Sequence, residues 1–524
     1  MRFLIPTNII LFFIPVSLLG QIPKEFIVGG GWSSQYPRTN SVNEIKIQGD
    51  TVWAGTERGL SMTTDRGLSW THFSGTNSFD DKGISAMAFE SNLIWIAVGY
   101  STKLNDQSIQ TGGGLFYSTD RGSTWSQRIE QPMDSGTIDT LMYGSNKIRA
   151  LAITVPQQNI TFDIDITKNT VWIASWAGML RKSTDKGQTW YRVILPPDEL
   201  NSIDTSKSLA FDLSPVQKIF TNNGIKDTLK GSYNYSVFSI HAINDSVIWI
   251  GTAGGINKTT DGGLSWQKYT HQNQTQSISG NFVVAINSQR WQGRDIIWAA
   301  TINANDPDEI KGVSYSEDNG NTWKRTLLGE WVHNIAIKDS LVFVATDNGI
   351  FRSSDFGNTW IQSGSIYDTQ TLQRFVLPEC YGVDTQGDYV WIGGSEGTAY
   401  TFDSPTQPFS STLKIFRTYE QVGVQNQSYA YPNPFAPDDE PVRIHYSLKG
   451  QTAGTREVSI YVLNFSMQPV RTLIQNAPRL NGYEYDEIWN GKDNYHSVVA
   501  NGVYFYRIVI ENQDPIWGKI MVLR

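Results

Sequence analysis

The chain has little cysteine, little histidine and no excess of basic charge, and each shortage removes a class of protein. Cys380 is the only cysteine in 524 residues. No intramolecular disulfide can form, so stability has to come from packing and closure. The six histidines, among them His72, His241 and His333, lie far apart and never in a His-x-His spacing, so no metal site and no cofactor is expected. Lysine and arginine number 42 against 50 acidic residues, a net charge of -8 with the basic residues scattered. Neither nucleic acid nor an anionic membrane would find an electrostatic footprint here.

The N-terminal apolar run is short for a membrane span. "MRFLIPTNIILFFIPVSLLGQ" offers one Arg, an apolar stretch from Phe3 to Leu19 interrupted by Thr7 and Asn8, and then Gly20. That order reads as a secretory signal peptide over residues 1–20, cleaved near Gly20 or Gln21 and leaving no stable span. A retained anchor is the other reading. What the chain does hold is 18 Trp, 23 Tyr and 46 Gly with only 18% charged residues, a composition that predicts an all-β protein with many tight turns.

Repetition then fixes the architecture. "TTDRGLSW" from Thr63, "STDRGSTW" from Ser118, "STDKGQTW" from Ser183, "TTDGGLSW" from Thr259, "SEDNGNTW" from Ser316 and "SSDFGNTW" from Ser353 share the pattern Ser/Thr-x-Asp-x-Gly-x-Ser/Thr-Trp. Each octet follows a β-branched and aromatic run: "TVWAGT" at Thr51, "LIWIAV" at Leu93, "TVWIAS" at Thr170, "VIWIGT" at Val247, "IIWAAT" at Ile296 and "LVFVAT" at Leu341. A further run, "YVWIGG" at Tyr389, precedes "TAYTFDS", which keeps Asp403 and loses the Gly and Trp. Another strand-like segment, such as "NEIKI" or "FSIHAI", lies ahead of each run, and a short strand follows each intact octet. Four strands per unit and seven units predict a seven-bladed β-propeller over residues 21–422.

The octet then turns the third strand of a blade into the fourth. Asp65, Asp120, Asp185, Asp261, Asp318 and Asp355 are assigned to that turn, where carboxylate oxygens accept backbone N–H groups and Gly supplies φ > 0. The Trp packs in the blade. On this reading the six aspartates are structural, although they look like acid catalysts on paper.

The octet resembles the Asp-box, or bacterial neuraminidase repeat, of sialidases, xyloglucanases, sortilin-type receptors and the photosystem II assembly-factor propeller, over about residues 25–417. The resemblance implies the propeller fold and leaves activity open, because these families include both enzymes and non-enzymes. Sialidases also need an arginine triad, a Tyr/Glu pair and an Arg-Ile-Pro signature, for which "YPRTN" at Tyr36 is no match. Xyloglucanases pair two propellers, and this chain has length for one. Sortilin-type receptors add a cysteine-rich module. The pattern most resembles the assembly-factor type, which binds protein partners and catalyses nothing.

Length variation points to a working face. The links between second and third strands are short except in blade two, "GYSTKLNDQSIQTGGG", and blade five, "NANDPDEIKG". The blade-joining segments from Gln131 toward Thr161, from Pro196 to Tyr235 and from Ser363 to Tyr381 are long as well. All are expected on the face opposite the octets, where Tyr100, Tyr235, Asn303, Asp306, Trp331, His333 and Tyr381 would rim the channel mouth and meet a protein or polysaccharide ligand. Loop carboxylates Asp198, Asp306, Asp308 and Glu379 are the candidates for the alternative, a secreted carbohydrate-active hydrolase or lyase, because inverting glycosidases need two carboxylates roughly 6.5–9.5 Å apart.

After a linker at 423–430 a different text begins at Tyr431. Alternation in "VRIHYSL", "EVSIYVL", "YEYDEIW" and "GVYFYRIVI" predicts a small β-sandwich over 431–524. With "YPNPF" at Tyr431, "WNGKDN" at Trp489, "NGVYFYRI" at Asn501 and the terminal "KIMVLR", this segment resembles the immunoglobulin-like domain of flagellar hook-capping type and the C-terminal sorting domains of type IX secretion cargo. "NFSMQPV" departs from the usual Asp and Gly turn, and "DNYHSVVANG" lacks a Gly in its middle. The resemblance implies engagement of a Gram-negative secretion machinery, with surface attachment or release. The whole chain therefore reads as an exported, non-catalytic binding module.

Overall fold

The computed structural model describes residues 32–523 except 35, 74–81, 105–106, 127, 223–224, 369–374, 376–378, 405–408, 418–427, 438–440 and 449–453. The expected signal peptide and most of the expected linker lie outside the described residues. The described residues are all-β apart from one short 3₁₀ turn, Tyr233–Tyr235.

Each repeat unit folds into one antiparallel sheet with its strands in chain order. In sheet one, for example, Val42–Gln48 is followed by Thr51–Thr56, Gly59–Thr63 and Trp70–Phe73, and Trp32–Ser34 adds to the outer edge. The first strands of sheets two to seven are Gly83–Glu90, Thr161–Ile166, Val237–Ala242, Phe282–Trp291, Val332–Lys338 and Cys380–Gln386. Second strands such as Thr51–Thr56 and Ile248–Thr252 are buried almost throughout, because a neighbouring sheet covers each face. Successive first strands touch one another, and Val42–Gln48 touches both Gly83–Glu90 and Cys380–Gln386, which brings the last sheet against the first. The fold is a β-propeller.

The octets join neighbouring sheets as well as strands. In each intact copy the carboxylate accepts the same set of bonds: Asp120 Oδ1 takes the Thr124 amide (2.8 Å) and the Ser118 hydroxyl (2.8 Å), while Oδ2 takes the Thr124 hydroxyl (2.6 Å). The next residues turn left-handed, Arg121 at φ 57 and Gly122 at φ 82. A Cβ on Gly122 would stand 2.6 Å from Trp53 of the preceding sheet, and one on Gly187 would stand 2.8 Å from Trp95. Octet tryptophans meet such second-strand rings edge-on, Trp190 against Trp95 at 6.1 Å and Trp323 against Trp249 at 6.3 Å. Sheet seven has no such octet. There Asp403 receives Arg352 of sheet six through two hydrogen bonds of 2.8 and 3.2 Å, and Phe409 packs on Phe343.

The insertions do not all decorate one face. The hairpin of sheet two is extended, with Leu93–Leu104 paired to Gln107–Ser118 along its length. The two segments expected as long loops before sheets three and four instead hold strands of their own. Ile138–Tyr143 and Asn146–Leu151 form a hairpin that Asp212–Leu213 joins in parallel, and Ser202–Asp204 adds to the outer edge of sheet four. Tyr143, Ile148, Leu213 and Ile203 share a core with Trp172, Leu180 and Trp266, and the Tyr143 hydroxyl donates to the Leu264 carbonyl within an octet (2.7 Å). This lobe therefore wraps the outer rim of sheets three and four and reaches the octet side.

The C-terminal residues form two packed sheets. Ser428–Tyr431, Val442–Ser447 and Glu484–Trp489 make one, and Thr455–Leu463, Pro469–Leu480, Gly502–Ile510 and Ile516–Val522 make the other. Tyr446, Ile460, Trp489, Tyr506 and Ile508 fill the space between them. The first strand starts at Ser428, ahead of the expected boundary at Tyr431, because Ser428 already pairs with Tyr446.

Candidate ligand face

The mouth opposite the octets is built by a register slip repeated in every sheet. Each first strand skips one residue of its ladder at the same point, between Val42 and Glu44, Ile84 and Ala86, Thr161 and Asp163, Val237 and Ser239, Val283 and Ala285, Val332 and Asn334, and Cys380 and Gly382. A bulge re-aims the side chain it carries. The seven bulge residues, Asn43, Ser85, Phe162, Phe238, Val284, His333 and Tyr381, thus share one level at the start of the inner strands.

Three expected rim residues come together there. Trp331, 40% exposed, stacks on His333 at 6.4 Å, and His333 meets Tyr381 edge-on at 5.3 Å. His333 Nε2 donates to Asp347 (2.7 Å), the Tyr381 hydroxyl donates to Glu379 (3.0 Å), and Lys311 Nζ lies over the Trp331 ring. Tyr100 lies apart on the extended hairpin of sheet two, under Lys82.

Tyr235 is not on the rim. It is buried in the core beside Leu213 and Val237, because Asp198 accepts the amides of Tyr233 (2.9 Å) and Asn234 (3.0 Å) and pins the turn with Tyr235 inward. Tyr233 takes the exposed place instead.

A second aromatic group completes the mouth and is absent from the sequence reading. Phe238 contacts Phe162 at 5.2 Å, Trp176 at 5.3 Å and Phe282 at 4.3 Å. Its signal was a Phe recurring just ahead of the inner strand in "TFDIDI", "VFSIHA" and "NFVVAI". Such a Phe reads as core until the bulge is known.

Charge gathers in the throat below the aromatics. Lys46 Nζ lies 3.7 Å from Glu44, and Asp163, Asp384 and Asp165 also act on it. Burial works against the charge on Lys46, yet these carboxylates hold its pKa above the usual value. Burial pushes Asp163 up to about 7 and Asp165 up to about 6, and it raises Glu44 and Asp384 as well. Burial and Lys46 lower His241 to about 4. Three of the carboxylates also tie sheets together. Asp163 accepts the Ile240 amide (2.7 Å), Asp165 the Ala242 amide (2.7 Å) and Asp384 the Ile47 amide (2.8 Å), each from the open edge of the next inner strand. An edge N–H that would otherwise need water is thereby satisfied.

Of the loop carboxylates, Asp198, Asp306 and Glu379 are committed to local structure, while Asp308 is exposed. Asp306 accepts the Gln272 side chain (3.0 Å) and the Asp308 amide (3.0 Å), and the Gln272 bond lowers its pKa. Asn303 donates to the Glu309 carbonyl (2.9 Å), and buried Glu309 takes the Asn281 amide (3.0 Å). Asp198, Asp306, Asn273 and Tyr233 line a polar cleft of about 760 Å³ between sheets four and five. The six octet aspartates stay on the opposite face in their turns. Hydrogen bonds from the Thr four residues on hold Asp120, Asp185 and Asp355 below the usual range, Asp185 at about 2. Among the described residues no group of three or more His, Cys, Asp or Glu is arranged to hold a metal.

Solved structures resemble this chain in part. YCF48 bound to D1 peptide covers 71% of this chain and 95% of its own at 15% identity, with a TM-score of 0.42. YCF48 from Cyanidioschyzon merolae covers 71% and 98% at 16% identity and the same TM-score of 0.42. PorZ, an essential bacterial surface component of the type-IX secretion system of Porphyromonas gingivalis, covers 92% and 87% at 11% identity, with a TM-score of 0.16. No family model and no curated protein matches the chain.

Proposed function

We propose that this chain is an exported, non-catalytic seven-bladed Asp-box propeller that binds a protein or glycan ligand at the mouth opposite its octets. Its C-terminal immunoglobulin-like sandwich directs type IX-like secretion and surface attachment. The observation that carries the binding reading is the pair of aromatic groups across one mouth, Phe162, Trp176, Phe238 and Phe282 on one side and Trp331, His333 and Tyr381 on the other. Aromatic faces give large contact area at low entropic cost. Asp198 and Asp306 are already spent on hydrogen bonds, which argues against the loop-carboxylate hydrolase. No helix among the described residues is long and apolar enough to cross a membrane.

A glycan array and a cell-surface pull-down with the mature chain test the reading, with Phe238→Ala and Trp331→Ala as probes. Capture by the wild type, weakened about tenfold or more by either variant at unchanged melting temperature, supports it; equal capture by both variants rejects it. Release of reducing ends by the wild type, lost in Asp306→Asn or Asp308→Asn, would favour the loop-carboxylate hydrolase or lyase instead. Deleting residues 428–524 and finding the propeller still at the surface would remove the sorting assignment.

A further inference from the structure

The C-terminal sandwich stands on the same face as the mouth. Arg443 Nη2 donates to the Ser395 carbonyl (2.9 Å) in the link between the second and third strands of sheet seven, and its charge acts on Glu57 in the equivalent link of sheet one. Asn40, just ahead of the first strand of sheet one, donates to the Tyr431 hydroxyl (3.2 Å), which donates to buried Asp486 (3.1 Å). Glu484 acts on Tyr36. The contact is made by hydrogen bonds and charges. Among the described residues the core of the sandwich contains only its own side chains, and none of the propeller cores includes a sandwich residue. Interfaces without an apolar core are of the separable kind.

The contact also runs into the rim. The Ser395 amide donates to the Glu379 carbonyl (3.3 Å), and the Glu379 carboxylate accepts the Tyr381 hydroxyl. Two residues, Ser395 and Glu379, therefore link the docked Arg443 to the Tyr381, His333 and Trp331 cluster. We infer that the sandwich is a reversible cap on the margin of the ligand face, and that its docking and occupancy of the Trp331 cluster are thermodynamically linked. By reciprocity, whatever undocks the sandwich alters the rim, and a ligand at the rim alters docking. This inference rests on the reading of that face as the ligand face.

Small-angle scattering and amide exchange on the mature full-length chain test it, using wild type, Arg443→Ala and Glu57→Lys. Glu57 is in an exposed turn, so its variant keeps the fold even if Arg443→Ala does not. At low salt the wild type is compact. Both variants, and the wild type at about 1 M salt where charge pairs are screened, should show a larger radius of gyration and at least about tenfold faster exchange at 394–397 and 381–383. Equal radii and equal exchange in all three proteins would overturn the docking. A larger radius with unchanged exchange at 381–383 would overturn the linkage. Neither readout involves a ligand, so failure of the Trp331→Ala binding test would be a separate result.

Discussion

Gly122 shows how tightly the repeated turn is specified. Its φ of 82 lies in the left-handed region, and a Cβ would meet Trp53 at 2.6 Å. Gly122→Ala should therefore cost about 1–3 kcal/mol in urea unfolding, from overpacking and strain together. Asp120→Ala removes three accepted hydrogen bonds, at about 1 kcal/mol or less each in an exposed turn, and should leave ligand capture unchanged because it sits on the other face. Loss of capture at full stability would instead give the aspartate a functional role. The octet's duty was legible because six copies repeat it. Tyr235 misled because the sequence does not reveal that Asp198 pins its turn. Phe162 and Phe238 went unseen because a strand-start Phe looks like core, and only the ladder slip turns it to the mouth.

Among the elements, sheet seven shows what replaces an octet. Arg352 and Asp403 form a largely buried pair across sheets six and seven, with 18% and 6% of their side chains exposed. Arg352→Ala strands a buried carboxylate and should cost about 3–5 kcal/mol, whereas Arg352→Met combined with Asp403→Leu should come close to wild type. Denaturant midpoints for the two proteins decide the matter, and similar losses in both would mean the pair does more than fill space. The strands of the sheets could be read from periodicity because their partners are neighbours in the chain. Asp212–Leu213 and Ser202–Asp204 could not, since each is a short strand made by a distant partner, Arg149–Ala150 in one case and Ser265–Gln267 in the other.

Across the whole molecule the throat carboxylates set a pH dependence. Asp163, near 7, and Glu44, raised by burial, hold protons in the folded chain that the unfolded chain has released above about pH 4–5. Their contribution is complete at low pH and is lost as pH rises through the folded values. His72 and His241, lowered to about 4, act the other way and favour the folded state as pH rises from about 4 to 6.5. Above about pH 6.5 the carboxylates act alone. Melting temperature should then fall between about pH 6.5 and 8, and Asp163→Asn should flatten the fall. A melting temperature that stays flat over that window would show that Lys46 keeps these carboxyls ionised.

Each propeller sheet takes its blade strands from one run of chain, and among the described residues no strand crosses from the last sheet to complete the first. The seam between them is held by side chains, with Trp70 edge-on to Trp391 at 6.2 Å and Asp384 bonded to the Ile47 amide. That seam is built like the five other seams that carry an octet, so the chain has no privileged starting point. New termini opened in the segment between sheets three and four, with the old ends joined, should still assemble. For the same reason duplication or loss of one unit needs no rewiring of its neighbours, which makes the number of units a quantity that evolution can change by whole steps.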